Sequence, residues 1–308
     1  MDMQENVTSI PSPTYMTILR ALVKTMRPRQ WTKNVVVFAA LVFDGKFLRL
    51  EPTLRTVVAF ALFCLISSSV YLLNDVVDRE KDRAHPIKRH RPLAAGILQP
   101  GVALTAMALL LVVAVGAALA LEPLLGITIL GYFLLNVAYS FYLKNLVILD
   151  ALTVAAGFLL RVAGGAMVVH VERFSPWLYV CVTFISLLIA LGKRRHELTS
   201  LEAGATNHRA ILDHYTVEFL DQLIGIITAA TVVSYSFYTF SAENLPKNDM
   251  MMLTIPFVVY FLFRYLYLVH VKKLGGAPDE LLFKDRHLFV TAVLWGLSAV
   301  GVLYLSHS

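Results

Sequence analysis

Long apolar runs are the feature of this sequence that most limits its fold. A run of about 20 apolar residues is long enough for an α-helix to cross ~30 Å of hydrocarbon. Lipid admits only structures that satisfy their own backbone hydrogen bonds, which excludes loops and open sheets from the bilayer core. The sequence therefore predicts an all-α, polytopic membrane bundle of about nine transmembrane helices, at roughly 33–49, 54–75, 101–121, 124–143, 147–170, 176–193, 217–240, 251–270 and 287–306.

The composition agrees with a membrane protein. The chain is 57% hydrophobic and 16% charged, whereas soluble domains are nearer to 45–50% apolar and about 25% charged. The formal charge of +6 does not indicate nucleic-acid binding, because nearly all of the basic residues lie in the segments outside the apolar runs. We expect one integral membrane domain over 1–308.

The N-terminal segment has a different character. Residues 1–14 are polar and contain two prolines, which is typical of a flexible tail. Basic and apolar residues then alternate with a helical period over 15–30, which predicts an amphipathic helix on the membrane surface.

Charge placement predicts the orientation. With nine spans, 20 of the basic residues fall on the side of the N-terminus and 5 on the other side, while Arg161 and Arg264 lie inside spans. Because basic loops stay in the cytoplasm, this asymmetry predicts a cytoplasmic N-terminus. A multi-pass protein of the plasma membrane, with its site on the cytoplasmic side, is the expected arrangement.

An acidic motif ends the second run. Asp75, Asp78 and Asp82 are spaced at i, i+3 and i+7, with Asn74 ahead of them, and on a helix this spacing places the carboxylates on one face. Carboxylates so close repel one another unless a cation lies between them, and oxygen ligands suit Mg²⁺ or Mn²⁺. We predict Asp75 and Asp78 as the catalytic pair and all four residues as metal ligands at a diphosphate site.

Basic and polar residues near the same membrane face are candidates for substrate binding. Positive-inside topology, snorkelling to headgroups and the interfacial aromatic belt are the alternative explanations for those at helix ends and in loops. Arg161 lies inside the fifth run, where an arginine normally faces the interior and has an anionic partner, either a ligand phosphate or Asp150. The candidates are Lys33, Asn34, Asn74, Lys88, Arg89, Arg91, Tyr139, Lys144, Arg161, Lys193 and Arg194.

The pattern Asn74-Asp75-x-x-Asp78-x-x-x-Asp82 on the second span resembles the UbiA superfamily of intramembrane prenyltransferases. More narrowly, the chain resembles the members that transfer a phosphoribosyl group to a polyprenyl phosphate. The matching stretches are Arg27 to Asn34, Asp82 to Gly96, Tyr139 to Lys144, Gly192-Lys193-Arg194 and Gly275 to Arg286. The resemblance implies a Mg²⁺-dependent phosphoribosyltransferase that uses phosphoribosyl diphosphate and a decaprenyl-type phosphate for envelope glycan precursors.

One departure from the superfamily pattern favours this narrower reading. Ordinary members carry a second Asp-rich motif after the sixth span, where this chain has Lys193-Arg194-Arg195-His196-Glu197. A basic site suits two anionic substrates, a phosphoribosyl diphosphate and a lipid phosphate. The alternatives are a prenyltransferase that moves an isoprenoid from its diphosphate to an aromatic or other small acceptor, and a transporter with an acidic ion site. The oligomeric state is open, with a homo-oligomer as one alternative.

Overall fold

The computed structural model describes residues 14–171, 175–202, 210–243, 245–246, 248–276 and 278–305. Helices make up nearly all of this part, and it contains no strand. They are α1 Tyr15–Met26, α2 Ala39–Phe43, α3 Leu50–Val77, α4 Arg79–Ala84, α5 Pro100–Leu121, α6 Pro123–Phe141, α7 Leu149–Val169, α8 Pro176–Glu202, α9 Val217–Ser241, α10 Ile255–His270, α11 Pro278–Lys284 and α12 Arg286–Leu305. Of the predicted N-terminal tail, 1–13 lie outside the described residues.

Eight described helices are long and apolar enough to cross a membrane. They correspond to the second through ninth predicted spans, so the helical membrane fold is confirmed. The predicted helix over 15–30 is present as α1, which ends at Met26, and its position at the membrane surface stays a prediction.

The first predicted span, 33–49, differs from the prediction. The chain forms a 3₁₀ helix over Pro28–Phe38, continues as the short α2 and then turns at Asp44 and Gly45. A 3₁₀ helix rises about 2.0 Å per residue and an α-helix 1.5 Å, so Pro28–Phe43 extends roughly 30 Å. The segment is therefore as long as a membrane span without being one continuous α-helix.

Two glycines of α7 allow close packing, Gly165 against this 3₁₀ segment and Gly164 against α3. A Cβ at Gly165 would lie 2.0 Å from the Val37 carbonyl oxygen, and a Cβ at Gly164 would lie 2.7 Å from the Phe63 ring. The backbones of the 3₁₀ segment and α7 therefore touch where no larger residue fits. Phe63 and its neighbours form one of the buried apolar clusters, with Ile66, Leu125, Ile129 and Val168.

Two of the few basic residues on the side opposite the acidic motif cap helix ends. Lys46 Nζ donates to the Val169 and His170 carbonyls at 3.3 and 3.1 Å. Arg55 donates to the Val168 and Leu121 carbonyls at 3.0 and 3.2 Å. Helix C-termini carry unpaired carbonyls and partial negative charge, which these cations neutralise.

Candidate active site

The acidic motif lies where α3 ends and α4 begins. Asp78 is the residue between the two helices, with φ −88° and ψ 4°, and its N–H still donates to the Asn74 carbonyl at 2.9 Å. The chain therefore continues almost in helical register through the break. Asp75 and Asp82 are buried, whereas Asp78 is partly exposed.

Arg91 bridges Asp75 and Asp82, and Arg27 pairs with Asp75. Arg91 Nη1 lies 2.7 Å from Asp82 Oδ2 and 3.2 Å from Asp75 Oδ1. Arg27 Nη2 lies 2.5 Å from Asp75 Oδ1, and its guanidinium also stacks on Tyr71, 4.9 Å from the ring centre. The predicted shared face of Asp75 and Asp82 is thus present, because one guanidinium reaches both carboxylates.

Asn74 contacts the end of α6, and Asp78 contacts the loop between α6 and α7. Lys144 Nζ lies 3.4 Å from Asp78 Oδ1, and the Ser140 hydroxyl donates to Asn74 Oδ1. Two of the predicted binding residues, Arg91 and Lys144, therefore contact the aspartates directly, and Asn74 precedes Asp75 in the chain.

The donor set fits a hard cation by its chemistry, since it consists of carboxylate and amide oxygens without a sulfur or imidazole ligand. In the described part of the chain, no three His, Cys, Asp or Glu side chains converge on a common point that could hold a metal ion. The basic groups of Arg27, Arg91 and Lys144 lie against the aspartates instead. The metal role stays a prediction.

Arg161 is buried among neutral partners. Its guanidinium donates to Asn34 Oδ1 at 2.6 Å, to the Gly157 carbonyl at 2.9 Å and to the Tyr132 hydroxyl at 2.7 Å. Asn34 is fully buried and turns its amide nitrogen to Cys64 Sγ and Ser67 Oγ, both at 3.3 Å. Arg161 faces the interior as predicted, while the Asp150 alternative for its partner is wrong.

Asp150 pairs with Arg194 instead. Arg194 Nε donates to Asp150 Oδ2 at 2.6 Å and its Nη1 to Glu197 Oε2 at 2.7 Å, and both Asp150 and Arg194 are buried. The Tyr215 hydroxyl completes the group by donating to Asp150 Oδ1 at 2.8 Å. Burial of the phenol, together with the nearby carboxylate, raises the pKa of Tyr215 to about 12.

The remaining candidates differ in their exposure to solvent and in their contacts. Tyr139 is near the Arg194 guanidinium, whose Nη2 lies 3.4 Å from the phenol oxygen. Lys193 and Arg89 are exposed, and Lys33 and Lys88 are partly buried. Lys88 and Lys193 have no ion-pair partner in the described part of the chain.

Arg27 was not among the predicted site residues. It comes 48 positions before Asp75 and adopts the left-handed conformation, with φ 55° and ψ 62°, at the end of α1. A non-glycine residue rarely takes this conformation. The available signal was its place in the stretch Arg27 to Asn34, which resembles the UbiA superfamily.

The comparison with known sequences identifies the family. The model of the UbiA prenyltransferase family matches residues 35–284. The chain belongs to the UbiA prenyltransferase family. It is 34% identical over 305 residues to a decaprenyl-phosphate phosphoribosyltransferase of Mycolicibacterium smegmatis, covering 94% of each chain. It is 33% identical over 304 residues to one of Mycobacterium tuberculosis, covering 97% of this chain and 98% of that one.

Solved structures of the UbiA family show the same fold. The structure of a UbiA homologue from Archaeoglobus fulgidus bound to GPP and Mg²⁺ superposes with a TM-score of 0.69 at 16% identity, covering 92% of this chain and 99% of that one. The same homologue bound to Cd²⁺ gives a TM-score of 0.67. At this identity the likeness concerns the fold, and it agrees with the eight membrane helices described above.

Proposed function

We propose that this UbiA-family protein transfers the 5-phosphoribosyl group of phosphoribosyl diphosphate to a polyprenyl phosphate and releases diphosphate. The observation that carries the proposal is the similarity, over nearly the whole chain, to the two decaprenyl-phosphate phosphoribosyltransferases. The transfer would provide a lipid-linked pentose phosphate for cell-envelope glycans.

The contacts around the acidic motif support a site for anions with many phosphate oxygens. Arg27, Arg91 and Lys144 already lie within 2.5 to 3.4 Å of aspartate oxygens. A divalent cation held by Asp75 and Asp78, with Asn74 and Asp82 beside them, would stabilise negative charge on the diphosphate. Mg²⁺ is the proposed ion, with Mn²⁺ as the alternative, because both prefer oxygen ligands.

The basic side chains around the motif assist the departure of the diphosphate. Their contacts with the aspartates hold them in place, and charges held in place stabilise a developing anion without reorganisation. A non-bridging oxygen of the lipid phosphate then attacks C1 of the ribose as the bond from C1 to the diphosphate oxygen breaks. The nucleophile is already an anion, so the transfer requires no general base.

The lipid phosphate needs a separate cation near the membrane. Lys193 is exposed at the end of the apolar part of α8 and has no ion-pair partner within the described residues. We assign the lipid phosphate to Lys193, since the neighbouring Arg194 guanidinium is buried against Asp150 and Glu197. The motif and Lys193 would face the cytoplasm of a plasma-membrane protein, as the excess of basic residues on that side favours.

The test supplies the purified protein with two substrate pairs. One pair is labelled phosphoribosyl diphosphate with polyprenyl phosphate, and the other is a prenyl diphosphate with an aromatic acid. Mass analysis of the lipid product is expected to show a polyprenyl-phosphoryl-5-phosphoribose from the first pair only. A prenylated aromatic product from the second pair, with no product from the first, would overturn the proposal.

A prenyltransferase is the second candidate function. It is favoured by the fold shared with the Archaeoglobus homologue, which was solved with GPP and Mg²⁺. It would use the same acidic motif but a substrate whose diphosphate is attached to the isoprenoid. The two-pair assay separates it from the phosphoribosyltransferase.

A further inference from the structure

His85 stands three residues after Asp82, at the start of the turn that returns Arg91 to the acidic motif. Its Nδ1 atom lies 3.0 Å from the Ile87 backbone nitrogen and 3.1 Å from the Lys88 backbone nitrogen. Backbone N–H groups only donate, so Nδ1 must be the ring nitrogen that accepts. In the neutral ring the proton is therefore on Nε2, which is a hydrogen-bond donor.

This Nε2 donor is enclosed but has no acceptor. The atom is buried, although the residue as a whole is partly exposed, and no described group accepts a hydrogen bond from it. Most buried polar groups in proteins are satisfied, and an orphaned donor needs an explanation such as a ligand. Arg79 Nε, in α4 of the same segment, is likewise buried without a hydrogen-bond partner.

The surroundings indicate what kind of group would accept this hydrogen bond. The turn carries Lys88, Arg89 and Arg91, and Arg91 also contacts Asp75 and Asp82. A ligand here would meet donors and positive charge, and a phosphate group offers only acceptors and negative charge. A neutral imidazole N–H can bind phosphate oxygen without adding to the charge of the site.

We propose that His85 Nε2 donates a hydrogen bond to a phosphate oxygen of phosphoribosyl diphosphate, while His85 Nδ1 keeps the turn in place. The inference rests on the proposed function, since it names a binding residue for the same substrate. It gives His85 two separable roles, one for each ring nitrogen.

Two substitutions separate these roles. Asparagine in His85→Asn can place an acceptor oxygen where Nδ1 is, which keeps the turn but removes the Nε2 donor. Glutamine in His85→Gln places an amide N–H near the Nε2 position but gives up the Nδ1 acceptor. Thermal unfolding of both variants in detergent shows whether each remains folded.

The measurement is the affinity of wild type and both variants for phosphoribosyl diphosphate without lipid acceptor, followed by KM for each substrate. The His85→Asn variant lacks one hydrogen bond to a charged group. Its affinity for phosphoribosyl diphosphate is therefore expected to be about ten- to a hundred-fold lower than that of wild type. KM for polyprenyl phosphate should change less than about two-fold, and His85→Gln should bind more tightly than His85→Asn.

The possible outcomes separate this inference from the proposed function. If wild type binds phosphoribosyl diphosphate and His85→Asn binds it equally well, the inference fails and the function stands. If His85→Asn binds as tightly as wild type and only His85→Gln is weakened, His85 only braces the turn through Nδ1, and the inference is again wrong. If wild type neither binds nor uses phosphoribosyl diphosphate, both proposals fail.

Discussion

The Arg194 guanidinium lies 2.6 Å from the Asp150 carboxylate, and both side chains are buried where the start of α7 meets the C-terminal part of α8. The next residue toward the membrane, Lys193, is exposed. Two adjacent basic residues that look equivalent in the sequence therefore differ in role. Arg194 joins two helices, whereas Lys193 has no ion-pair partner within the described residues.

Removal of Arg194 should destabilise the protein more than removal of Lys193. Arg194→Ala leaves the Asp150 carboxylate buried without its cation, which typically costs about 3–5 kcal/mol. Thermal unfolding in detergent should show a clear fall in Tm for Arg194→Ala. The control, Lys193→Ala, should unfold at the wild-type temperature and raise KM for the lipid phosphate. Equal Tm values for the two variants would contradict this assignment.

Gly165→Ala should also destabilise the protein. The added methyl group would lie 2.0 Å from the Val37 carbonyl oxygen, and backbone cannot move aside as a flexible side chain can. Overpacking of this kind costs about 1–3 kcal/mol. Gly131→Ala in α6 is the matched control, because a Cβ there meets nothing within 4 Å. The prediction fails if both variants keep the wild-type Tm.

Asp285 should give a pH-dependent contribution to stability. Its carboxylate accepts two hydrogen bonds from Arg264, at 2.7 and 3.2 Å, and one from the Leu288 N–H at 2.9 Å. The Arg264 hydrogen bonds chiefly hold the pKa of Asp285 below its usual value of 3.8. Because the folded pKa is depressed, the stabilisation is complete above pH 3.8 and is lost as the pH falls through the folded pKa.

The comparison for this effect is wild type against Asp285→Asn, which keeps an acceptor at the start of α12. Wild type should have the higher Tm at pH 6, and the difference should shrink as the pH is lowered below about 4. A difference in Tm that stays constant from pH 6 to pH 3 would show that the charge of Asp285 is not responsible.

Much of the fold could be predicted from the sequence because bilayer thickness fixes the length of an apolar helix. The first span departs from the prediction, since the chain turns through a left-handed Arg27 and runs from Pro28 to Phe38 as a 3₁₀ helix. The hydrophobic pattern alone does not distinguish the two kinds of helix over so short a run. The close approach of Val37 in this 3₁₀ helix to Gly165 depends on tertiary packing, which the sequence pattern does not contain.

The site could be predicted where its residues are close in sequence. Asp75 and Asp82 share a face because seven residues make about two helical turns, and Arg91 reaches both. Contacts between side chains that are far apart in the chain could not be predicted from one sequence. Arg27 reaches Asp75 across 48 positions, Arg161 bonds to Asn34 across 127, and Asp150 pairs with Arg194 across 44.

The most direct test of the central claim is the rate of phosphoribosyl transfer as Mg²⁺ is varied, in wild type, Asp78→Asn and Glu80→Gln. Glu80 is a suitable control because it is exposed and pairs with Arg83 at 3.0 Å. We predict that wild type requires Mg²⁺ and stops when EDTA is added, and that Glu80→Gln behaves like wild type. Asp78→Asn should lose at least about a hundred-fold in rate while remaining folded. Transfer at the wild-type rate by Asp78→Asn, or by wild type in EDTA, would contradict the account.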